Sequence, residues 1–131
     1  MRTFVTIAVA LAAALGGQAA LAHHSFAVFF EAEGSVSATG VVTEFNFRNP
    51  HATIAIEAMD EAGDTLIWRG ETNSPSILRR RGWTQQSLAI GETVTMEGWP
   101  ARDGSRYMRI RGVRRADGSL VGASPFVAND D

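Results

Sequence analysis

Cysteine is absent from the 131 residues of this chain. That excludes disulfide staples and thiolate metal centres alike. Stability must come from an apolar core, and any metal must be held by imidazole, thioether, carboxylate or a terminal amine. Lysine is missing as well: all 12 basic side chains are arginine, against 14 acidic ones, for a formal net charge of −2. A slightly acidic chain lacks the clustered positive surface that neutralises a run of phosphates, which argues against general nucleic-acid binding. There is no internal repeat and no low-complexity tract. Nor is there a glycine-rich phosphate loop, a serine-nucleophile elbow or a His-Glu-x-x-His element, so the sequence reads as a non-enzyme. Its longest apolar stretch, Phe4 to Leu15, is broken only by Thr6 and is too short to span a bilayer, which takes roughly 18 residues or more.

What is present begins with an export signal. Met1-Arg2 supplies a positive start, Phe4–Leu15 an uncharged apolar segment of signal length, and Gly16-Gly17-Gln18 a helix break. Ala20-Leu21-Ala22 then puts small residues where a signal peptidase reads, so residues 1–22 are expected to be removed and the mature chain to start at His23. Gly17-Gln18-Ala19 offers a second, weaker cut that would start it at Ala20. The expected location is periplasmic or secreted, with no membrane span once the signal is gone. The remainder suffices for one small domain, placed at residues 23–124, followed by a frayed acidic tail over 125–131.

Inside that domain the periodicity changes twice. Thr39–Phe47, His51–Met59 and Thr65–Glu71 carry β-branched and apolar residues in alternation and read as strands of an antiparallel meander. Asn49-Pro50 separates the first two, and Asp60-Glu61-Ala62-Gly63-Asp64 turns the second into the third. Ser74-Pro75 then starts a short helix through Arg79-Arg80-Arg81, with Ser74 as N-cap and Gly82 as terminator. Thr93–Trp99 and Arg106–Arg114 are two further strands joined by the Asp103-Gly104 turn. Tyr107 is read as opposite in phase to Arg109 and Arg111, and Met59, Met96 and Met108 as core. Three strands, a helix and two strands is the element order of the OB-fold, a small all-β barrel of five strands with one short helix. An open sandwich or open sheet is the competing arrangement.

The residues also carry a resemblance. His23-His24-Ser25-Phe26, Asn49-Pro50-His51-Ala52, Arg81-Gly82-Trp83-Thr84, Gly91-Glu92-Thr93-Val94-Thr95-Met96-Glu97-Gly98 and the Asp103-Gly104-Ser105 turn occur together. The set resembles a family of small exported bacterial proteins known only as a domain of unknown function. The resemblance implies a secreted, single, β-rich domain and brings no activity, cofactor or catalytic residue.

The chemistry has to come from the three histidines. His23 and His24 stand at the expected new terminus, and His51 follows the Asn49-Pro50 break. An N-terminal histidine offers one ion both its α-amine and its ring nitrogen, and an amine with a reference pKa near ~8 gives up its proton to a metal. The imidazole of His51 then completes a three-nitrogen set, or His24 enters through its ring and the intervening amide. Nitrogen-rich tetragonal sites favour Cu(II). The candidate metal ligands are therefore His23, His24 and His51, with copper as the ion and a carrier or sequestering role. Cleavage at Ala19 would remove the amine from the set. The bland alternative is a solvated histidine pair and a loop imidazole. The second hypothesis is a cell-envelope binding module without metal, holding a small molecule or another envelope protein on the face around Trp68, Trp99 and the arginines. Trp68, Trp83, Trp99 and Tyr107 are more simply explained as packing. Arg79-Arg80-Arg81 reads as a solvated helix face, and Glu44, Glu71 and Glu97 show no spacing that argues for acid/base chemistry.

Overall fold

The alternation of the first strand dictates the architecture. In β1 (Val36–Asn46) Ala38, Gly40 and Val42 point inward while Thr39, Val41 and Thr43 point out, the period of a strand with one buried face. β2 (Thr53–Met59) and β3 (Thr65–Glu71) follow as antiparallel neighbours, then the helix α1 (Pro75–Arg80), β4 (Thr93–Pro100) and β5 (Tyr107–Arg115). This is a computed structural model, and it describes residues 26–126. The expected signal segment, His23, His24 and residues 127–131 lie outside the described residues.

β1 is long enough to pair twice. Its first half runs against β4 and its second half against β2, and the strand changes partner at Val41. Gly40 sits at that change, where a Cβ would run into the carbonyl of Glu57 across the strand pair. β3 and β5 pair in parallel and close the sheet into a barrel of order β1-β2-β3-β5-β4. That is the OB arrangement expected from the element order, with closure removing most of the exposed strand edge.

α1 plugs the end of the barrel at which β3 finishes and β4 starts. Pro75 occupies its first turn, where a missing N–H costs nothing, while Ser74 makes no capping bond and its hydroxyl meets that of Ser76 instead. Gly82, at a φ of 80°, takes the left-handed conformation that ends the helix. Its N–H bonds to the Arg79 carbonyl, and that of Trp83 reaches the Leu78 carbonyl at 3.1 Å, a Schellman closure. Leu78 and Trp83 are thereby driven fully into the core beside Ile54, Ile56, Met96, Met108 and Ile110. The Trp83 indole N–H is satisfied by the Ala123 carbonyl at 3.0 Å.

Several local expectations change. β2 starts at Thr53, two residues later than expected; Ala52 still bonds Asn73 and Thr72, and His51 lies in the loop before the strand. Tyr107 shares the outer face with Arg109 and Arg111, since residues two apart on a strand point the same way; Met108 and Ile110 are the inward residues. Met59, expected in the core, is 74% exposed at the end of β2. Pro125 is buried and Phe126 packs on the barrel, so both belong to the folded body and not to a frayed tail. No described helix is long and apolar enough to cross a membrane.

Candidate functional site

The register sets one row of side chains side by side on the outside of the barrel. Thr53 of β2 faces Glu71 of β3, Glu71 faces Arg109 of β5, and Arg109 faces Trp99 of β4. Glu71 is the hub. It accepts from Arg109 Nη1 at 2.5 Å on Oε1 and from the Tyr107 hydroxyl at 2.9 Å on Oε2. The Nδ1 of His51, reaching in from the loop before β2, lies 3.7 Å from Oε1. That is beyond hydrogen-bond length, so the two side chains are neighbours without a bond.

Arg109 is the least exposed charge of the cluster, with 11% of its side chain accessible. Phe126 covers its guanidinium at 4.4 Å, in cation–π contact, and the side-chain oxygen of Asn73 lies 3.5 Å from Nη2. Its Nε is buried without a hydrogen-bond partner. Asn73 in turn donates to the Pro125 carbonyl at 2.9 Å, which ties the last described residues to the end of β3. Burial, the neighbouring Glu71 carboxylate and the hydrogen bond to it push the Tyr107 phenol above its ordinary value of 10.0, and Arg109 opposes them only partly. Tyr107 therefore stays protonated and acts as a donor.

Beside the cluster runs an open groove of about 730 Å³. One wall is the helical turn at residues 26–29 and Phe30, with Val28 and Phe29 exposed; the back is Glu71 and Tyr107; the lip is the β4–β5 hairpin at Arg102, Asp103 and Ser105. Phe30 stacks on Tyr107 and Phe26 meets Trp99 edge to face, which fastens the N-terminal segment to the outer surface of β4 and β5. Arg102 locks the turn through its backbone N–H to Phe29 and its Nε to the Ala27 carbonyl.

Of the expected metal ligands only His51 lies within the described residues. Among those residues no group of three or more His, Asp or Glu side chains is arranged to hold a metal ion. Trp83 proves to be core and Trp68 packs against it, while Trp99 and Tyr107 serve the outer face. Sequence reasoning passed over Glu71, Asn73, Arg109 and Phe126 as a unit. The alternation of β5 carries a usable signal for two of its members, since Tyr107 and Arg109 must share a face; nothing local marks Asn73 or Phe126.

Barrel and cluster together define a five-stranded OB-type domain whose outer face over β3 and β5 carries a charged hub beside an aromatic groove. The chain belongs to the family of unknown function DUF6152, which matches residues 10–110. No curated protein matches it.

Proposed function

We propose that this is an exported metal-binding protein, a copper carrier or sequestering module, in which the amine and imidazole of His23, together with His24 and His51, hold one ion. One observation carries the reading: His51 is 40% exposed on the outer face, with the Glu71 carboxylate at its Nδ1. Ligating histidines usually present one ring nitrogen to the metal while a carboxylate orients the other. Glu71, 3.7 Å away on the Nδ1 side, is placed to supply that orientation after a small movement of the ring, with Nε2 as the ligand.

Chain reach supports the same reading. Phe26 packs on Trp99 in β4, and the outer row Trp99, Arg109, Glu71, Thr53 leads from there through β5 and β3 to β2. Three strand spacings amount to roughly 14 Å. His23 stands three residues before Phe26, a span of roughly 10 Å when extended, and its side chain adds several more. Copper suits the donor set because thiolates are lacking and all ligands are nitrogens. The protein's work in this reading is binding, without a catalytic step, and another envelope protein takes over the ion.

The test is Cu(II) titration of a chain that begins at His23, followed by electron paramagnetic resonance. His51→Ala should lose one nitrogen from the spectrum and weaken binding at least tenfold. Unchanged affinity in that variant would remove His51 from the site and with it the proposal.

The groove favours a second reading, a module that holds a small apolar ligand without metal. Its volume lies within the usual range for ligand pockets, about 300–1,000 Å³, and its exposed Phe29 and Val28 face a carboxylate and a phenol. Phe29→Ser then abolishes ligand capture and leaves copper affinity untouched; the first reading requires the reverse dependence, on His51.

A further inference from the structure

Charge is segregated along the barrel axis. The end that carries the β2–β3 turn, the β4–β5 hairpin and the residues leading into β1 holds Glu31, Glu33, Asp60, Glu61, Asp64 and Asp103, and the cations of these described segments are Arg102 and Arg106. The opposite end carries the β1–β2 loop and α1, with Glu92 before β4 and Asp117 after β5; on the loop and α1 themselves the balance reverses. Arg48 follows β1, and Arg79 and Arg80 close α1, all three exposed. None of these three forms an ion pair among the described residues, where Glu44, Glu71 and Glu92 are matched to Arg69, Arg109 and Arg115.

The run at Arg79-Arg80-Arg81 thus divides by role. Arg81 turns inward and donates to the carbonyls of Ser124 and Pro125, a structural use. Arg79 lies over the ring of Phe47 at 5.2 Å, which fastens the helix to the loop and brings its guanidinium to the segment that carries Arg48. Arg80 is the next residue on the rim. Three guanidinium groups on adjoining segments, free of carboxylates, face outward on a molecule whose net charge is negative.

We propose that the α1 end, through Arg48, Arg79 and Arg80, docks on a surface of anionic lipid headgroups. The guanidinium fork matches phosphate oxygens in pairs, and unpaired arginines meet it without first breaking an internal bridge. The acidic far end is repelled by the same surface, so the two ends together fix an orientation with α1 towards the lipid. Neither α1 nor the β1–β2 loop carries an exposed large apolar side chain; Ile90 and Leu120 are exposed in the connections before β4 and after β5. The contact made by the three arginines is electrostatic, reversible and screened by salt.

The experiment is sedimentation of the full mature chain with vesicles of phosphatidylglycerol and phosphatidylcholine, against pure phosphatidylcholine, over a range of salt. The expected result is binding to the anionic vesicles alone, weakening steadily as salt rises. The variant Arg48→Gln/Arg79→Gln/Arg80→Gln, checked for its fold by circular dichroism, should lose affinity on the order of a hundredfold, since each basic residue near such a surface contributes roughly fivefold. Arg106→Gln at the acidic end should change nothing. His51→Ala should bind vesicles normally, which keeps this outcome separate from that of the metal site. Binding that survives the triple substitution, or no binding to anionic vesicles at low salt, would overturn the proposal. Salt-sensitive self-association without vesicle binding would do so as well, by assigning the cationic end to the acidic end of a second copy.

Discussion

Removing the carboxylate of Glu71 strips the hub from its cluster, and the structure sets the size of the effect. Arg109 and Glu71 are 11% and 21% exposed and meet at 2.5 Å. Breaking a fully buried pair by deleting one partner costs about 3–5 kcal/mol, whereas an exposed pair is worth about 0–1 kcal/mol. With one partner a fifth accessible, Glu71→Ala should forfeit about 2 kcal/mol through the stranded guanidinium. The lost Tyr107 bond adds about 1 kcal/mol. The Arg109 Nε already lacks a partner, and the side-chain oxygen of Asn73 at 3.5 Å is a poor substitute for the carboxylate. Urea unfolding followed by tryptophan fluorescence reads the sum directly, expected near 3 kcal/mol. Glu71→Gln, which keeps an acceptor oxygen and the side-chain shape, should lose less. A second readout is independent of stability. Tyr107 is the only tyrosine, so absorbance of the phenolate against pH follows one group. Removing the neighbouring negative charge should let it ionise at lower pH than in the parent. A loss below about 1 kcal/mol together with an unchanged tyrosine titration would refute the assignment of Glu71 as hub.

Three other expectations follow from the packing and the charges. Trp83→Ala empties the fully buried centre beneath α1 and strands the Ala123 carbonyl, so thermal and urea unfolding should show a loss of about 3–5 kcal/mol. Gly98→Ala drives a Cβ into the Arg109 carbonyl where β4 and β5 shift register, and should cost about 2 kcal/mol or more, read as a lowered urea midpoint. Because folding raises the Tyr107 pKa, the unfolded chain releases that proton first; stability is full below pH 10.0 and falls as pH rises above it, which denaturation at a series of alkaline pH values should show.

The barrel was legible because its signals are local and mutually consistent. Alternation in β1, β2 and β4, the Pro75 start and Gly82 stop of α1, and the turns at Asp60–Asp64 and Asp103-Gly104 each mark one boundary, and their order alone selects the OB topology. The failures were of two kinds. Met59 fits an apolar composition but shares the outward face of β2 with Glu57, while Ile54, Ile56 and Ala58 take the inward positions. Pro125 and Phe126 resemble a tail in composition, yet they are held by Asn73, Arg81 and Arg109, partners far away in sequence. The hub is hidden for the same reason. Glu71 and Arg109 are brought together only by the parallel pairing of β3 with β5, across 38 residues that include α1 and β4. His51 could be singled out by residue type, but its carboxylate neighbour could not.

The central claim rests on a free amine at His23 joined to His51, and one measurement reaches it most directly. Cu(II) affinity should be compared between a chain beginning at His23 and the same chain carrying one extra residue before it. The account predicts tight, nitrogen-rich binding in the first and a loss of at least tenfold in the second, with the amine nitrogen gone from the paramagnetic resonance spectrum. Equal affinity and identical spectra in the two chains would contradict it.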